Sequence, residues 1–286
     1  MDSVTLSAAQ QQFTEFLKDK SRSNATIVAY TKDIDQLASH LKDGEKNNVS
    51  AITKEDIEAF LAKLSAAGYT PKSLSRKINS IRTFYRFLKS KSLVTEDPSL
   101  QVAHPQYQLA APRILTPTEY RALRDASRHD ARMFAVIELL LQTGIRIGEL
   151  AELKLDDMVP EGLKIRPFEK HEERIVPLNK SAKDALDRYV KGRPQVAEQK
   201  IFITKSGRPF LIRNIRTAVE RYFRLAEIKG AKVNDLRHTF IAHHLKHGVS
   251  LVLLSKIVGH KRLSTTERYL EYVPERAKEN THLTEL

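Results

Sequence analysis

Apolar residues recur at intervals of three and four positions through the first hundred residues, which is the period of an α-helix. The clearest series consists of Ile27, Tyr30, Ile34, Leu37 and Leu41. Thr53 with Asp56 three residues later has the spacing of a capping box, and Pro71 suits the first turn of a helix. We therefore predict an all-helical domain over residues 1–104 and a proline-containing linker over residues 105–113.

The second half of the chain combines helical spacing with short alternating segments. Residues 163–165 and 174–178 alternate apolar and polar side chains, which predicts a hairpin, and residues 201–203 are predicted to add a third strand. Thr116 and Glu119 form another capping box. Helices are predicted around residues 133–141, 182–190, 211–226, 234–246, 250–258 and 264–272. The predicted fold class is mainly α with a small antiparallel β-sheet (α+β), with a second domain over residues 114–273 and a polar tail over residues 274–286.

Composition narrows the class of partner. The chain has 286 residues, enough for two domains with a core each, and its 48 basic and 35 acidic residues give a net charge of +13. Such a surplus favours a polyanion, with nucleic acid ahead of a membrane surface, although many basic proteins bind nothing specific. The absence of cysteine excludes disulfides, thiolate zinc sites and cysteine nucleophiles. With neither a long apolar run nor a signal peptide, we expect a cytoplasmic protein.

The segment from residue 72 to residue 91 is the most basic part of the first half. It contains seven basic side chains and no acidic one, while apolar residues occupy one side of the predicted helix. We predict a helix that contacts phosphates and enters a major groove; the alternative is an ordinary solvated helix face. The candidate DNA-binding residues are Lys72, Arg76, Lys77, Arg82, Arg86 and Lys89.

Candidate chemistry lies between residues 234 and 269. Arg237, His260 and Tyr269 are predicted on successive short helices, and Arg146 after an apolar helix supplies a second arginine. Cationic and donor groups can bind the non-bridging oxygens of a phosphodiester while a phenol attacks its phosphorus, without a metal ion. Two of these residues also have an ordinary explanation: an ion pair with Glu149 for Arg146, and a helix-end position for His260.

Four segments together resemble the tyrosine recombinase (phage integrase) family, most closely its short Xer-like members. They are Thr143-Gly144-Ile145-Arg146-Ile147-Gly148-Glu149-Leu150, Leu236-Arg237-His238-Thr239-Phe240, Val258-Gly259-His260 and Ser264-Thr265-Thr266-Glu267-Arg268-Tyr269. The resemblance implies a helical, SAM-like core-binding domain followed by a catalytic domain, the two forming a C-shaped clamp on DNA.

The resemblance also implies roles for single residues. Tyr269 would be the nucleophile, preferred to Tyr272 by its Ser-Thr-Thr context, and Glu149 would orient Arg146. The phosphate-binding residues would be Arg146, Arg237 and His260. Lys170 would protonate the departing 5′ oxygen, although an ungapped comparison places that lysine at Glu169.

Asn234 departs from the family pattern. The family has His-x-x-Arg where this chain has Asn234 and Arg237. Asparagine can donate a hydrogen bond to a phosphate oxygen but cannot take the proton of a tyrosine, so we expect a slower enzyme. His238 lies one helical turn further on and could take part.

The implied function is site-specific DNA recombination through a 3′-phosphotyrosyl intermediate and a Holliday junction, in chromosome dimer resolution or the movement of mobile elements. The family analogy implies inverted half-sites on double-stranded DNA and a homotetramer, with or without a second recombinase or accessory protein. It implies no ATP, metal or other cofactor and a cytoplasmic, nucleoid-associated location. Residues 274–286 would dock on a neighbouring protomer, or form a frayed terminus. Two alternatives are a type IB topoisomerase-like enzyme that relaxes DNA, and a DNA-binding module with impaired catalysis.

Overall fold

The computed structural model describes residues 4–20, 22–42, 47–108, 110–167, 172–273, 283, 285 and 286. The chain divides into two units, residues 1–109 and 110–286, and the division falls inside the predicted linker. Each unit has its own hydrophobic core. Among the described residues, none of the helices has the length and apolar character needed to cross a bilayer.

Helices build the first unit, as predicted. They are α1 (Leu6–Asp19), α2 (Asn24–Lys42), α3 (Lys54–Ala66) and α4 (Pro71–Ser90). The capping box of Thr53 and Asp56 is present, and Pro71 occupies the first turn of α4. The core is rich in aromatic rings: the ring centroid of Phe13 lies 5.2 Å from that of Phe84 and 5.7 Å from that of Phe87.

Lys77 corrects one of the predicted DNA contacts. Its side chain is 2% exposed, and its ammonium lies 2.8 Å from the Oδ1 atom of Asp33, which is itself buried. The Ser80 hydroxyl donates to the other Asp33 oxygen at 2.7 Å, and Arg76 pairs with the same carboxylate. With basic residues spread along the whole of α4, helical periodicity places one of them on the face that packs against α2. Lys77 therefore joins two helices and is not available to DNA.

The second unit contains α5 to α12 and the sheet. The helices are α5 (Pro117–Ser127), α6 (Ala131–Thr143), α7 (Ile147–Glu152), α8 (Lys180–Gly192), α9 (Ile212–Leu225), α10 (Val233–Lys246), α11 (Leu251–Val258) and α12 (Ser264–Glu267), followed by a 3-10 helix (Arg268–Tyr272). The strands are β1 (Met158–Val159), β2 (Gly162–Ile165) and β3 (Arg174–Val176). They pair antiparallel in the order β1-β2-β3, with Leu163 opposite both Met158 and Val176. The predicted fold class and hairpin are confirmed.

The third strand differs from the prediction. Residues 201–203 are buried in the core but form no sheet ladder, and the third strand of the sheet is β1. The Ile201 N–H donates to the Leu153 carbonyl at 2.8 Å, whereas the Ile203 N–H donates to the Tyr189 hydroxyl at 3.2 Å. Because successive backbone groups bond to different elements, no ladder forms there. A short apolar run indicates burial, but it does not identify the hydrogen-bonding partner.

The buried pair of Asp33 and Lys77 allows a test of the first unit. We expect Asp33→Ala to lower the free energy of unfolding by about 3–5 kcal/mol, because it leaves the Lys77 ammonium buried without its counter-charge. Asp35→Ala removes an exposed carboxylate from the same helix and should change stability by less than about 0.5 kcal/mol. Urea unfolding of the full chain, followed by circular dichroism, measures both. Equal effects of the two substitutions would contradict the structural role given to Lys77.

Candidate active site

Arg146 is positioned by the sharp end of α6. Gly144 ends that helix in the left-handed region with φ 61°, and a Cβ atom there would lie 2.4 Å from the ring of Phe240. Only glycine allows this approach. Arg146 then precedes the first turn of α7, where its backbone N–H and its Nη1 atom each donate to Glu149 at 2.9 Å. The predicted pair of Arg146 and Glu149 is present.

Arg237 lies on α10 and is buried. Its guanidinium donates to the Gly144 carbonyl, and its Nη2 atom donates to the Val258 carbonyl at 2.8 Å. Burial, reinforced by the nearby positive charge of Arg146, lowers the pKa of Arg237 to about 9. The group is still charged at neutral pH, and an anion bound beside it would offset this cost.

The C-terminal end of α11 collects three arginines. Gly259 ends this helix with φ 69°, and the carbonyls of residues 257–259 face the guanidinium groups. The Nε atom of Arg174 donates to the Ile257 carbonyl at 2.7 Å. Both Arg237 and Arg146 donate to the Val258 carbonyl. The Nη2 atom of Arg146 also donates to the Gly259 carbonyl at 2.9 Å. The last carbonyls of a helix have no partner within the helix and carry partial negative charge. They therefore hold the arginines in place and reduce their mutual repulsion.

Arg174 was not among the predicted site residues. Its Nη1 and Nη2 atoms donate to the two oxygens of Glu149 at 3.0 and 2.8 Å, a bidentate pair. Burial raises the pKa of Glu149, but the hydrogen bonds and charges of Arg174 and Arg146 outweigh it and hold that pKa at about 2. The sequence contained one signal, because residues two apart on a strand face the same side and Arg174 shares its side with apolar Val176. In the structure that side faces inward, and Ile175 between them is exposed. An inward arginine requires a buried anion.

Tyr269 lies on the 3-10 helix and is 8% exposed. A continuous helix was predicted over residues 264–272, but α12 ends at Glu267. The hydroxyl of Tyr269 is 2.5 Å from the Nδ1 atom of His238, and the Nε2 atom of His238 is 2.7 Å from the Nδ2 atom of Asn234. Burial raises the pKa of the phenol, while the charge of Arg237 lowers it. The charge of Arg237 therefore acts on the Tyr269 phenol, and Asn234 reaches Tyr269 through His238.

The structure also describes the surroundings of two further candidates, His260 and Tyr272. His260 follows the turn at Gly259, and its Nδ1 atom is 2.7 Å from the hydroxyl of buried Thr266 on α12. It lines a cavity of about 570 Å³ together with Arg174. Tyr272 lines a different cavity, beside Thr239. Tyr269, by contrast, is the tyrosine whose hydroxyl bonds His238 next to Arg237.

Lys170 lies outside the described residues, as do residues 168–171 as a group. Strand β3, which follows that segment, begins at Arg174, so the bidentate pair with Glu149 ties this end of the hairpin to Arg146. Within the described part of the chain, no cluster of three or more histidine, aspartate or glutamate residues could hold a metal ion.

The basic residues of α4 differ in their surroundings. Lys72, Arg86 and Lys89 are exposed. Arg76 is exposed but pairs with Asp33, and Arg82 donates to the carbonyls of Ser99 and Val102 at 3.2 and 2.9 Å. Arg82 therefore holds the segment that follows α4, in addition to any role in binding.

Both halves of the chain match known families. Residues 113–276 match the phage integrase family, and residues 11–92 match the SAM-like N-terminal domain of phage integrases. Tyrosine recombinase XerD of Staphylococcus epidermidis is 30% identical over 271 residues, which cover 91% of this chain and 92% of that protein. Tyrosine recombinase XerC of Thermodesulfovibrio yellowstonii is 31% identical over 279 residues, which cover 91% of each chain.

Solved structures show the same fold. A lambda integrase dimer bound to a COC′ core site superposes with a TM-score of 0.77 at 18% identity, covering 98% of this chain and 81% of the integrase. A lambda integrase tetramer bound to a Holliday junction has a TM-score of 0.78 at 19% identity, covering 94% and 78% of the two chains. The similarity in architecture thus extends over both units, each of which has its own core.

The low pKa of Glu149 predicts how stability changes in acid. A carboxyl whose pKa is about 2 when folded, and about 4.3 when unfolded, contributes stability above the higher value and loses it as the pH falls towards the lower one. For this buried group the contribution is roughly 3 kcal/mol at pH 7. We therefore expect Glu149→Gln to be less stable at pH 7 and to lose less stability than the wild type between pH 5 and pH 2. Urea unfolding at several pH values measures this, with exposed Glu152→Gln on the same helix as control; parallel pH curves for wild type and Glu149→Gln would contradict the assignment.

Proposed function

Since the chain belongs to the phage integrase family of tyrosine recombinases, we propose that it is a site-specific DNA recombinase that cleaves and rejoins strands through a 3′-phosphotyrosyl intermediate. The observation that carries the proposal is the position of the Tyr269 phenol, which bonds His238 beside buried Arg237. Arg237 in turn shares the Val258 carbonyl with Arg146. These contacts support a site in which Tyr269 is the nucleophile and the two arginines bind the phosphate.

The two arginines retain the capacity to bind a phosphate. A guanidinium has five N–H donors, and the bonds of Arg237 to Gly144 and Val258 occupy two of them. The side chain of Arg146 is 26% exposed, so a bound strand can reach it. In the proposed complex, Arg146, Arg237 and His260 donate to the non-bridging oxygens of the scissile phosphate. Loss of one such donor raises a barrier of this kind by about 3–4 kcal/mol.

The reaction exchanges one phosphoester bond for another. The Tyr269 oxygen attacks phosphorus, the bond from phosphorus to the 5′ oxygen breaks, and the strand is left as a 3′-phosphotyrosine with a 5′-hydroxyl. We assign the proton for the leaving oxygen to Lys170 by the family pattern. Because no water consumes the phosphodiester, the attack of a 5′-hydroxyl on the phosphotyrosine reverses the step and rejoins DNA without ATP.

Binding to DNA is supported by charge. The net charge of +13 and the exposed residues Lys72, Arg86 and Lys89 on α4 suit a phosphate backbone. We extend the proposal, by family analogy, to inverted half-sites, a tetramer and a Holliday junction, with or without a second recombinase or accessory protein. The relatives named XerD and XerC are about equally similar to this chain, so sequence identity does not indicate which of the two this recombinase corresponds to. A cytoplasmic, nucleoid-associated location is part of the same proposal.

The structure describes only part of the C-terminal tail. Most of residues 274–286 lie outside the described residues. Leu286 is buried against its own unit, where its backbone bonds Gln142 and its carbonyl accepts from Arg124 at 3.1 Å. Docking of this segment on a neighbouring protomer in the assembled complex remains our proposal, and it would require these contacts to exchange between chains.

Asn234 favours a second candidate function, a DNA-binding module with impaired catalysis. Its amide cannot accept a proton at the position where the family has a histidine. The two candidates differ in one product, because only the recombinase forms a covalent bond to DNA. The type IB topoisomerase alternative has less support, since the curated relatives reported above are recombinases.

Covalent trapping tests the proposal. Genomic fragments selected by binding provide the site, and a nick beside each candidate cleavage position lets the short 5′-hydroxyl product diffuse away. We expect a denaturant-resistant adduct with the wild type, none with Tyr269→Phe, and an adduct with the control Tyr272→Phe. Specific binding by the wild type without any adduct would establish the DNA-binding module instead.

The contact of Arg174 with Glu149 predicts a positioning effect on Arg146. We expect Arg174→Lys, which keeps the charge but loses the bidentate geometry, to slow adduct formation about ten- to hundredfold with DNA binding nearly unchanged. The matched control is Arg193→Lys, since Arg193 is buried and, like Arg174, donates to backbone carbonyls, here those of Ile201 and Lys200. Thermal unfolding and single-turnover trapping of both variants separate the effects. If both variants lose stability and neither loses rate, Arg174 is structural only.

A further inference from the structure

The proton of Tyr269 needs an acceptor. A phenol has a reference pKa of about 10, and burial raises that of Tyr269 further. Asn234, at the position where the family has a histidine, has no basic atom. The structure places a different group against the phenol: the Nδ1 atom of His238 lies 2.5 Å from the Tyr269 oxygen. This distance is within the hydrogen-bond reach that a general base requires.

We propose that His238 is the general base that takes the phenol proton of Tyr269, and that Asn234 sets the tautomer of His238. The inference rests on the proposed recombinase function and adds a catalytic residue to it. His238 contacts the reacting oxygen directly, and Asn234 acts on that oxygen only through His238. The base is thereby displaced by one turn of α10 from the position it has in the family.

The contact between Asn234 and His238 determines which ring nitrogen can accept a proton. The Nε2 atom of His238 lies 2.7 Å from the side-chain amide of Asn234, whose nitrogen faces it. That orientation puts the ring proton on Nδ1, which then donates to the phenol oxygen. A half-turn of the amide brings Oδ1 to the same place without a change of shape. Oδ1 then accepts from Nε2–H and leaves a lone pair on Nδ1, and this is the reactive arrangement.

Each proton in the step has a source and a destination. As the Tyr269 oxygen bonds to phosphorus, its proton passes to Nδ1 of His238, and the resulting imidazolium donates through Nε2–H to the Asn234 carbonyl oxygen. The bond from phosphorus to the 5′ oxygen breaks, and that oxygen receives the proton assigned to Lys170. During rejoining, the attacking 5′-hydroxyl returns its proton to Lys170 by the same assignment, and His238 returns its proton to the departing phenolate.

The surroundings of His238 favour the neutral, accepting form. Its ring is half-buried and packs near the ring of Tyr269, with centroids 5.7 Å apart. Burial lowers the pKa of His238, Asp235 on the same helix raises it and Arg237 lowers it, with a net decrease. His260 is differently placed, because its Nδ1 atom bonds the Thr266 hydroxyl. The neutral form of the ring that contacts the nucleophile is therefore favoured, and the orientation of the Asn234 amide decides whether its Nδ1 atom can accept a proton.

The test changes the base and the acidity of the nucleophile together. We expect His238→Gln to slow adduct formation on the nicked site about 10²- to 10⁴-fold, with binding unchanged, because glutamine can hydrogen-bond the phenol but cannot take its proton. His238→Ala should be slowed as much. Replacing Tyr269 by a fluorinated tyrosine that ionises near neutral pH removes the need for a base. In that background both variants should recover to within about tenfold of the matching protein that retains His238.

Two controls separate a base from a structural residue. Arg237→Lys loses a phosphate ligand, so the fluorinated tyrosine should not restore its rate. His247→Ala, at the residue that follows the last turn of α10, should keep the wild-type rate in both backgrounds. Retention of rate by His238→Gln, or a defect that fluorination leaves unchanged, overturns the role of His238. The wild-type adduct in the same assay tests the recombinase function separately, and its absence would overturn both proposals.

Discussion

The candidate active site of the second unit is organised by the carbonyls at the C-terminal end of α11. These carbonyls, of residues 257–259, accept hydrogen bonds from Arg174, Arg237 and Arg146. The three arginines come from β3, α10 and the segment before α7, which are far apart in the sequence. Like charges so close together would repel one another, and the partial negative charge of the helix end offsets part of that repulsion. The turn at Gly259 makes the arrangement possible, because a Cβ atom there would lie 2.8 Å from the guanidinium carbon of Arg174.

The same arrangement leaves a surplus of positive charge. Among the described residues, Glu149 is the carboxylate that pairs with both Arg146 and Arg174, so in this part of the chain the three guanidinium groups share the charge of one paired carboxylate and the partial charge of the helix end. The lowered pKa of Arg237 reflects this imbalance, since burial and the neighbouring arginines both disfavour its charged form. A phosphate bound here would restore the balance, and the additional charge of a pentavalent transition state would restore it further. The unbound protein therefore already has the electrostatic asymmetry that its chemistry needs.

Local patterns in the sequence predicted local structure well. The capping boxes at Thr53 and Thr116 involve residues three positions apart, and both are present. Features that depend on pairing between distant segments were missed. Residues 201–203 are buried as expected but bond to elements other than the sheet, and Lys77 meets Asp33 across 44 positions of sequence. Arg174 and Glu149 are 25 positions apart, and only the folding of the hairpin onto α7 brings them together. Periodicity identifies the buried face of an element, whereas the identity of its partner depends on the tertiary fold.

The geometry of α10 explains how the site can accommodate asparagine at position 234. Successive residues of an α-helix are turned by about 100°, so positions three and four residues further along lie on either side of the line through the first. Arg237 and His238 therefore flank the line of Asn234. The first points into the guanidinium cluster and the second contacts the phenol. His238, one turn after Asn234, can therefore contact Tyr269 while Arg237 keeps its position. In our proposal, the two functions of the helix, binding phosphate and accepting a proton, belong to consecutive residues, so asparagine at position 234 leaves both Arg237 and His238 in place.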